Sequence, residues 1–230
     1  MTFKFSDIID DYLRREDRPF PIGEYHPHEI GHCLRWNYYK RLIPRPVPPK
    51  KLRLFKSADL AHGFIRDVLA ASDKVRLVSW EKPFEIPCGG FKIVGRYDDL
   101  ITVKIAGEDM PIVVEVKSVS GKTVEHIRHP KPPHVYQLHP YLKATGAPAG
   151  QLWYIARDTY EDRTFTVFYD ESTMGEVVVR AQLLHDFLTK GELPPSEGRN
   201  SRDIRYLCWF CPYWRECRAD FNPPSQQRPH

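Results

Sequence analysis

Two short stretches decide the fold: Gly95-Arg96-Tyr97-Asp98 and, beginning fourteen residues after Asp98, Ile112-Val113-Val114-Glu115-Val116-Lys117. The dense β-branched run before Glu115 has the composition of a strand buried on both faces, over residues 110–117. Residues i and i+2 of a strand share a face. Glu115 and Lys117 therefore point together, while Val116 turns into the core. On a solvated strand Glu-x-Lys is an ordinary ion pair, but a charged end on a strongly apolar central strand is a candidate site. If the strand carrying Asp98 lies alongside, two carboxylates and an ammonium converge. Hard cations such as Mg²⁺ and Mn²⁺ prefer carboxylate oxygens and water. A metal held there polarises a phosphodiester and lowers the pKa of a bound water, and the lysine positions that water or steadies the developing charge.

Outward from this strand, the pattern alternates between helical and β-rich segments. Helices are expected over residues 5–15 (Phe5, Ile8, Ile9 and Leu13 on one face), 29–42, 52–71 (Leu60, Phe64, Val68 and Leu69 apolar), 133–145 and 172–188. Gly146 is placed to stop the fourth. Residues 74–87 and 91–105 flank Gly89-Gly90, a hairpin signal. Further strands are expected over 151–157 and 164–169, with a polar loop over 118–131 and an unstructured end over 222–230. The sum is an α/β domain with a mixed central sheet flanked by helices. Three regions are expected: an N-terminal helical segment (1–50), a core (51–190) and a cysteine-bearing C-terminal segment (191–230).

His62 falls on the third helix, upstream of both carboxylates, and imidazole can supply a nitrogen ligand. Gln137 and Tyr141 are four apart and share a helix face. In this order, His62, Gly95-x-x-Asp98, Glu115-x-Lys117 and Gln137-x-x-x-Tyr141 resemble the motifs of RecB-like nucleases, within the PD-(D/E)XK superfamily. The resemblance implies a restriction-endonuclease-like core. It implies that His62, Asp98, Glu115 and the Val116 carbonyl bind Mg²⁺ or Mn²⁺, that Lys117 serves the water, and that Gln137 and Tyr141 hold the lysine and the DNA backbone. Asp99 beside Asp98 is the weaker fit to the Gly-x-x-Asp spacing.

The 230 residues carry 34 Lys+Arg and 30 Asp+Glu, a net charge of +4 that permits a nucleic-acid partner without requiring one. No stretch reaches membrane length and the first ten residues lack a signal-peptide pattern, so a soluble, cytoplasmic protein is expected. Five cysteines in such a chain suggest metal ligation plus a bystander rather than disulfides. Cys208-x-x-Cys211 and Cys217 form a C-x2-C-x5-C cluster, and Cys33 lies far upstream. Four thiolates suit a structural zinc or an iron–sulfur cluster. The single remote partner disfavours a zinc ribbon built of paired knuckles. Trp209, Phe210, Tyr213 and Trp214 read as packing around the site, with the guiding or stacking of a nucleic-acid strand as the alternative. Cys88, next to the glycine turn, is the bystander.

One distant cysteine with a C-terminal C-x2-C-x5-C is similar to the iron–sulfur nucleases, which include the bacterial AddB nuclease domain and the CRISPR-associated exonuclease family Cas-four. The compact chain resembles the latter more. That resemblance implies a cluster on Cys33, Cys208, Cys211 and Cys217 (4Fe–4S favoured, 2Fe–2S the alternative). It also implies an exonuclease acting on single-stranded DNA or overhangs, in prespacer trimming beside CRISPR integrase proteins. The rival readings are a nuclease of recombination or repair and a non-catalytic DNA-binding scaffold. Gly121-Lys122-Thr123 lacks the upstream glycine of a phosphate-binding loop, since Val116 stands there, so no nucleotide is expected. Arg96 and Lys122 are candidate phosphate contacts. His126, His129, His134 and His139 receive no role.

Overall fold

The computed structural model describes residues 4–14, 20–202 and 204–219, so the expected unstructured end over 222–230 lies outside the described residues. Its helices and strands run in the order α1 (Phe5–Leu13), β1 (Glu24–Tyr25), α2 (Pro27–Ile30), α3 (Leu34–Leu42), α4 (Pro49–Ala71), β2 (Arg76–Trp80), β3 (Pro83–Pro87), β4 (Lys92–Arg96), β5 (Asp99–Ile105), β6 (Glu108–Val119), α5 (Gly121–His126), α6 (Pro132–Thr145), β7 (Ala149–Ala156), β8 (Asp162–Phe168), α7 (Glu171–Lys190), α8 (Glu197–Asn200), a 3-10 helix (Arg205–Phe210) and α9 (Trp214–Ala219).

β6 is the middle of a five-stranded sheet ordered β2-β5-β6-β7-β8. It pairs antiparallel with β5, Asp99 opposite Val114, and parallel with β7, Lys117 opposite Tyr154. A parallel neighbour requires a crossover, and α5 and α6 make it. The period-two alternation divides β6 cleanly. Ile112, Val114 and Val116 pack on Ile65 and Leu69 of α4, whereas Val113 packs on Leu138 and Leu142 of α6. Burying each such side chain contributes about 1.5–3 kcal/mol. Glu115 and Lys117 follow Val113 and so lie on the α6 side. α6 sits tightly on the sheet at Gly150, where a Cβ would stand 2.9 Å from both Leu138 methyls and 3.0 Å from the Val113 carbonyl. Gly146, at φ 70°, ends α6 in the left-handed region, as expected.

A second, three-stranded sheet (β1-β4-β3) carries the Gly89-Gly90 hairpin. The two long arms expected there each divide in two. After β2 the chain turns through Glu81, at φ 43°, and β2 and β5 pair with each other in the larger sheet. α7, started by the Asp170 carboxylate accepting from the Thr173 N–H at 2.7 Å, packs Met174, Val177, Ala181 and Leu184 against Tyr25, Ile93, Tyr38 and Tyr39.

Other expectations need correction. The helix over 29–42 is two helices, because Gly31 lies against α6: a Cβ there would stand 2.5 Å from the Pro133 carbonyl oxygen. The chain bends at that contact and restarts with Cys33 at the N-cap of α3. The polar loop over 118–131 instead continues β6 to Val119 and then forms α5. On α4 the buried stripe is Ala61, Ile65 and Leu69, while Leu60, Phe64 and Val68 are exposed one position round. On α1 only Leu13 of the apolar face is buried, and the helix is held by the Asp10 carboxylate accepting two hydrogen bonds from Arg53 at 2.7 Å. Among the described residues, no helix is long and apolar enough to cross a membrane.

Candidate active site and cysteine cleft

β6 delivers Glu115 and Lys117 to α6, where Gln137 and Tyr141 face them. Lys117 Nζ lies 2.6 Å from Glu115 Oε1 and donates to Gln137 Oε1 at 2.7 Å. Gln137 Nε2 donates to Glu115 Oε1 at 2.8 Å and stands 3.1 Å from the Tyr141 hydroxyl. Asp98, just before β5, accepts from the Val116 N–H at 3.0 Å, and His62 of α4 approaches its Oδ2 at 3.7 Å. The six candidate side chains thus meet, with the Val116 backbone, at the C-terminal half of β6. Asp99 is fully buried and pairs through Oδ1 with Arg66 at 3.2 Å, and Arg66 also holds Glu81 at 2.8 Å; the Asp99 charge also bears on His62, and its Oδ2 has no hydrogen-bond partner. That network joins residues remote in sequence and carries no local motif that would reveal it.

Burial, then repulsion from Asp98, pushes the Glu115 carboxyl up to about 7, against the pull of Lys117. Burial raises Asp98 to about 6, with Lys117 and the Val116 N–H opposing it. Burial also lowers the His62 imidazole, against the pull of the Glu115 carboxyl. Carboxylates crowded in this way favour a bound cation or a proton. Glu115 is 1% exposed, yet its Oε2 has no hydrogen-bond partner. A buried orphan oxygen is unusual and asks for a missing partner. The carboxylate and imidazole donor set with this orphan oxygen fits a hard divalent cation. Among the described residues, no three His, Cys, Asp or Glu side chains are drawn together as a ready-made metal cage; at the acidic site, the Lys117 ammonium sits on the Glu115 oxygen instead.

Cys33, Cys208, Cys211 and Cys217 all line one cleft of about 780 Å³ between the start of α3 and the C-terminal segment. Burial and the neighbouring thiols push Cys211 up to about 11. The cleft is crowded at one wall, where a Cβ on Gly198 would stand 2.7 Å from Cys208 Sγ. The buried Arg35 donates to the Pro194 carbonyl at 2.6 Å and lies 3.8 Å from Cys217 Sγ. Cys88 is outside this cleft, beside Ile86 in the hairpin. The aromatic shell is only partly packing: Tyr213 is buried, but Trp209 is 82% and Phe210 70% exposed. Arg96 and Lys122 are both exposed. An Arg180–Glu197 pair at 2.8 Å ties the two ends: Arg180 donates to the carbonyls of Ile30 and His32, and Glu197 accepts from the Leu34 N–H at 2.8 Å.

A family model described as the PD-(D/E)XK nuclease superfamily matches residues 35–218. The chain belongs to this superfamily. In a PD-(D/E)XK protein Glu115-Val116-Lys117 has the (D/E)-X-K form, on the central strand beside Asp98. Among solved structures, this PD-(D/E)XK chain is similar to SSO0001, with a TM-score of 0.63 and 19% identity over 98% of each chain. Two weaker likenesses are an alkaline exonuclease from Laribacter hongkongensis (TM-score 0.47, 16% identity, 86% of this chain and 95% of that one) and a phage-related exonuclease from Haemophilus somnus 129PT (TM-score 0.44, 11% identity, 69% and 81%). No curated protein matches in sequence.

Proposed function

We propose that this chain is a divalent-metal-dependent DNA nuclease, a hydrolase working as an exonuclease on single strands or overhangs. The observation that carries the reading is the orphan Glu115 oxygen inside the Asp98–Glu115–Lys117 cluster. Glu115 and Asp98, with His62 and the Val116 carbonyl, would hold Mg²⁺ or Mn²⁺. When bound, that ion supplies Lewis-acid polarisation of the phosphodiester and a more acidic water. Lys117 is released from Glu115 towards the attacking water and the developing negative charge. Gln137 keeps the lysine aimed, and Tyr141 keeps Gln137 in place.

The shared cleft supports an iron–sulfur cluster on Cys33, Cys208, Cys211 and Cys217, of the 4Fe–4S type, joining residues 1–50 to residues 191–230 around a nuclease core at 51–190. The cysteine spacing supports a place beside CRISPR integrase proteins, trimming prespacer DNA in the cytoplasm. The test is anaerobic purification, a visible spectrum and a labelled single-stranded DNA assay with and without Mn²⁺, with Glu115→Ala alongside. A brown protein whose Mn²⁺-dependent cleavage vanishes in the variant is expected. A colourless, zinc-containing protein without cleavage would favour the scaffold reading.

A further inference from the structure

Next to Lys117, on the side away from Asp98, stands a group of basic side chains that the reaction described above does not use. Tyr154 is the β7 residue opposite Lys117. Its hydroxyl binds His134 Nδ1 at 2.8 Å and accepts from the Lys131 N–H at 3.0 Å. The Gly31–Pro133 contact brings α2 against the first turn of α6, so His32 follows one side of that contact and His134 the other. The Lys131 ammonium lies 5.5 Å over the Tyr206 ring. The charged groups that bear on His134 are Lys117, Lys131 and His32, all basic. The carboxylate that bears on His32, Glu29, is itself buried against Arg41 at 2.9 Å and Lys40 at 3.5 Å. Lys117 is answered by Glu115 at 2.6 Å, but among the described residues no carboxylate is bonded to His134 or to the Lys131 ammonium. Burial lowers the His134 ring, and with Nδ1 taken by the Tyr154 hydroxyl its Nε2–H is a donor near the Lys131 ammonium, a pair suited to an anion.

We propose that His134 and Lys131, with His32 opposite, bind a backbone phosphate of the DNA strand next to the phosphodiester at Lys117. This rests on the nuclease reading and extends it. Nδ1 of His134 is engaged by Tyr154, which leaves Nε2 for the phosphate. The site fixes where along the strand the reacting phosphodiester falls. It recognises the phosphate and not the base.

The test is anisotropy of a labelled single-stranded oligonucleotide, in the inert Glu115→Gln background, with single neutral methylphosphonates scanned along the strand. His134→Asn keeps an amide where Nδ1 bonds Tyr154 and removes Nε2. It should weaken binding roughly tenfold, the loss of one hydrogen bond to a charged group. Lys131→Ala should lower the salt slope by about 0.7, the value for one phosphate on a single strand. One methylphosphonate position should weaken the parent protein and leave His134→Asn unaffected. Equal affinities and slopes in both variants, or losses that add at every position, would overturn the proposal. The nuclease reading fails separately, by binding without Mn²⁺-dependent cleavage of the native strand.

Discussion

The Gln137 side chain is gripped from two sides: its carbonyl oxygen accepts from Lys117 at 2.7 Å while its amide nitrogen donates to Glu115 at 2.8 Å. One amide thus holds the lysine and the glutamate of β6 in register with α6. Gln137→Ala is expected to lower kcat at least tenfold and to destabilise the fold by about 1–3 kcal/mol, since it strips a buried carboxylate of a donor. Gln137→Glu should do worse to Mn²⁺-free stability, by adding a third carboxylate. Thermal melts and single-turnover cleavage measure both.

Lys117→Ala is expected to abolish cleavage and leave the visible spectrum of the cysteine cleft unchanged. The fold should survive, because Glu115, already raised to about 7 by burial, takes a proton when its ammonium is removed. Retained cleavage would show that the lysine is misassigned.

The acidic pair sets a pH dependence with a definite sign. Both carboxyls are raised in the fold, Asp98 to about 6 and Glu115 to about 7. Between their ordinary values, near 4, and these raised ones, the native state holds more protons than the unfolded chain, so their contribution to stability falls as pH rises. Without divalent metal, Tm should decline from pH 5 to above 7. Mn²⁺ needs the ionised carboxylates, so it should raise Tm more at pH 8 than at pH 5, and cleavage should rise through pH 6–7. A pH-independent Mn²⁺ effect would contradict the assignment of these ligands.

At the cysteine cleft, Gly198→Ala places a methyl 2.7 Å from Cys208 Sγ. It is expected to reduce the visible absorbance per chain several-fold and to leave the five-stranded core folded. Cys208→Ala should bleach the protein and lower its Tm. Metal analysis and circular dichroism separate the two effects.

Much of the site was legible because it obeys local rules. The alternation of Val113, Glu115 and Lys117 assigns a face from sequence spacing alone, and Gln137 and Tyr141 share a helix face by the same arithmetic. The motif order then pairs Asp98 with that strand. The four cysteines stood out by spacing, and they line one cleft. What escaped was set by tertiary contact. The break between α2 and α3 comes from Pro133, over a hundred residues away, pressing on Gly31. The division of the β-rich region into two sheets depends on which partners β2 and β5 find. The exposed stripe on α4 is apolar enough to imitate the buried one, so periodicity could not choose between Leu60–Phe64–Val68 and Ala61–Ile65–Leu69.

The Arg180–Glu197 tie bears on the order in which the molecule assembles. Its bond from Glu197 to the Leu34 N–H spans 163 residues, and contacts of such span are slow to form because the intervening chain must first be ordered. Seating of the C-terminal segment against α3 is therefore expected late in folding, which hydrogen-exchange labelling during refolding would test. Until then Cys33 stands apart from Cys208, Cys211 and Cys217, and each thiol is open to air oxidation. The interval before that last closure is the stage at which recombinant material would be lost to oxygen, and slow, anaerobic expression should recover it.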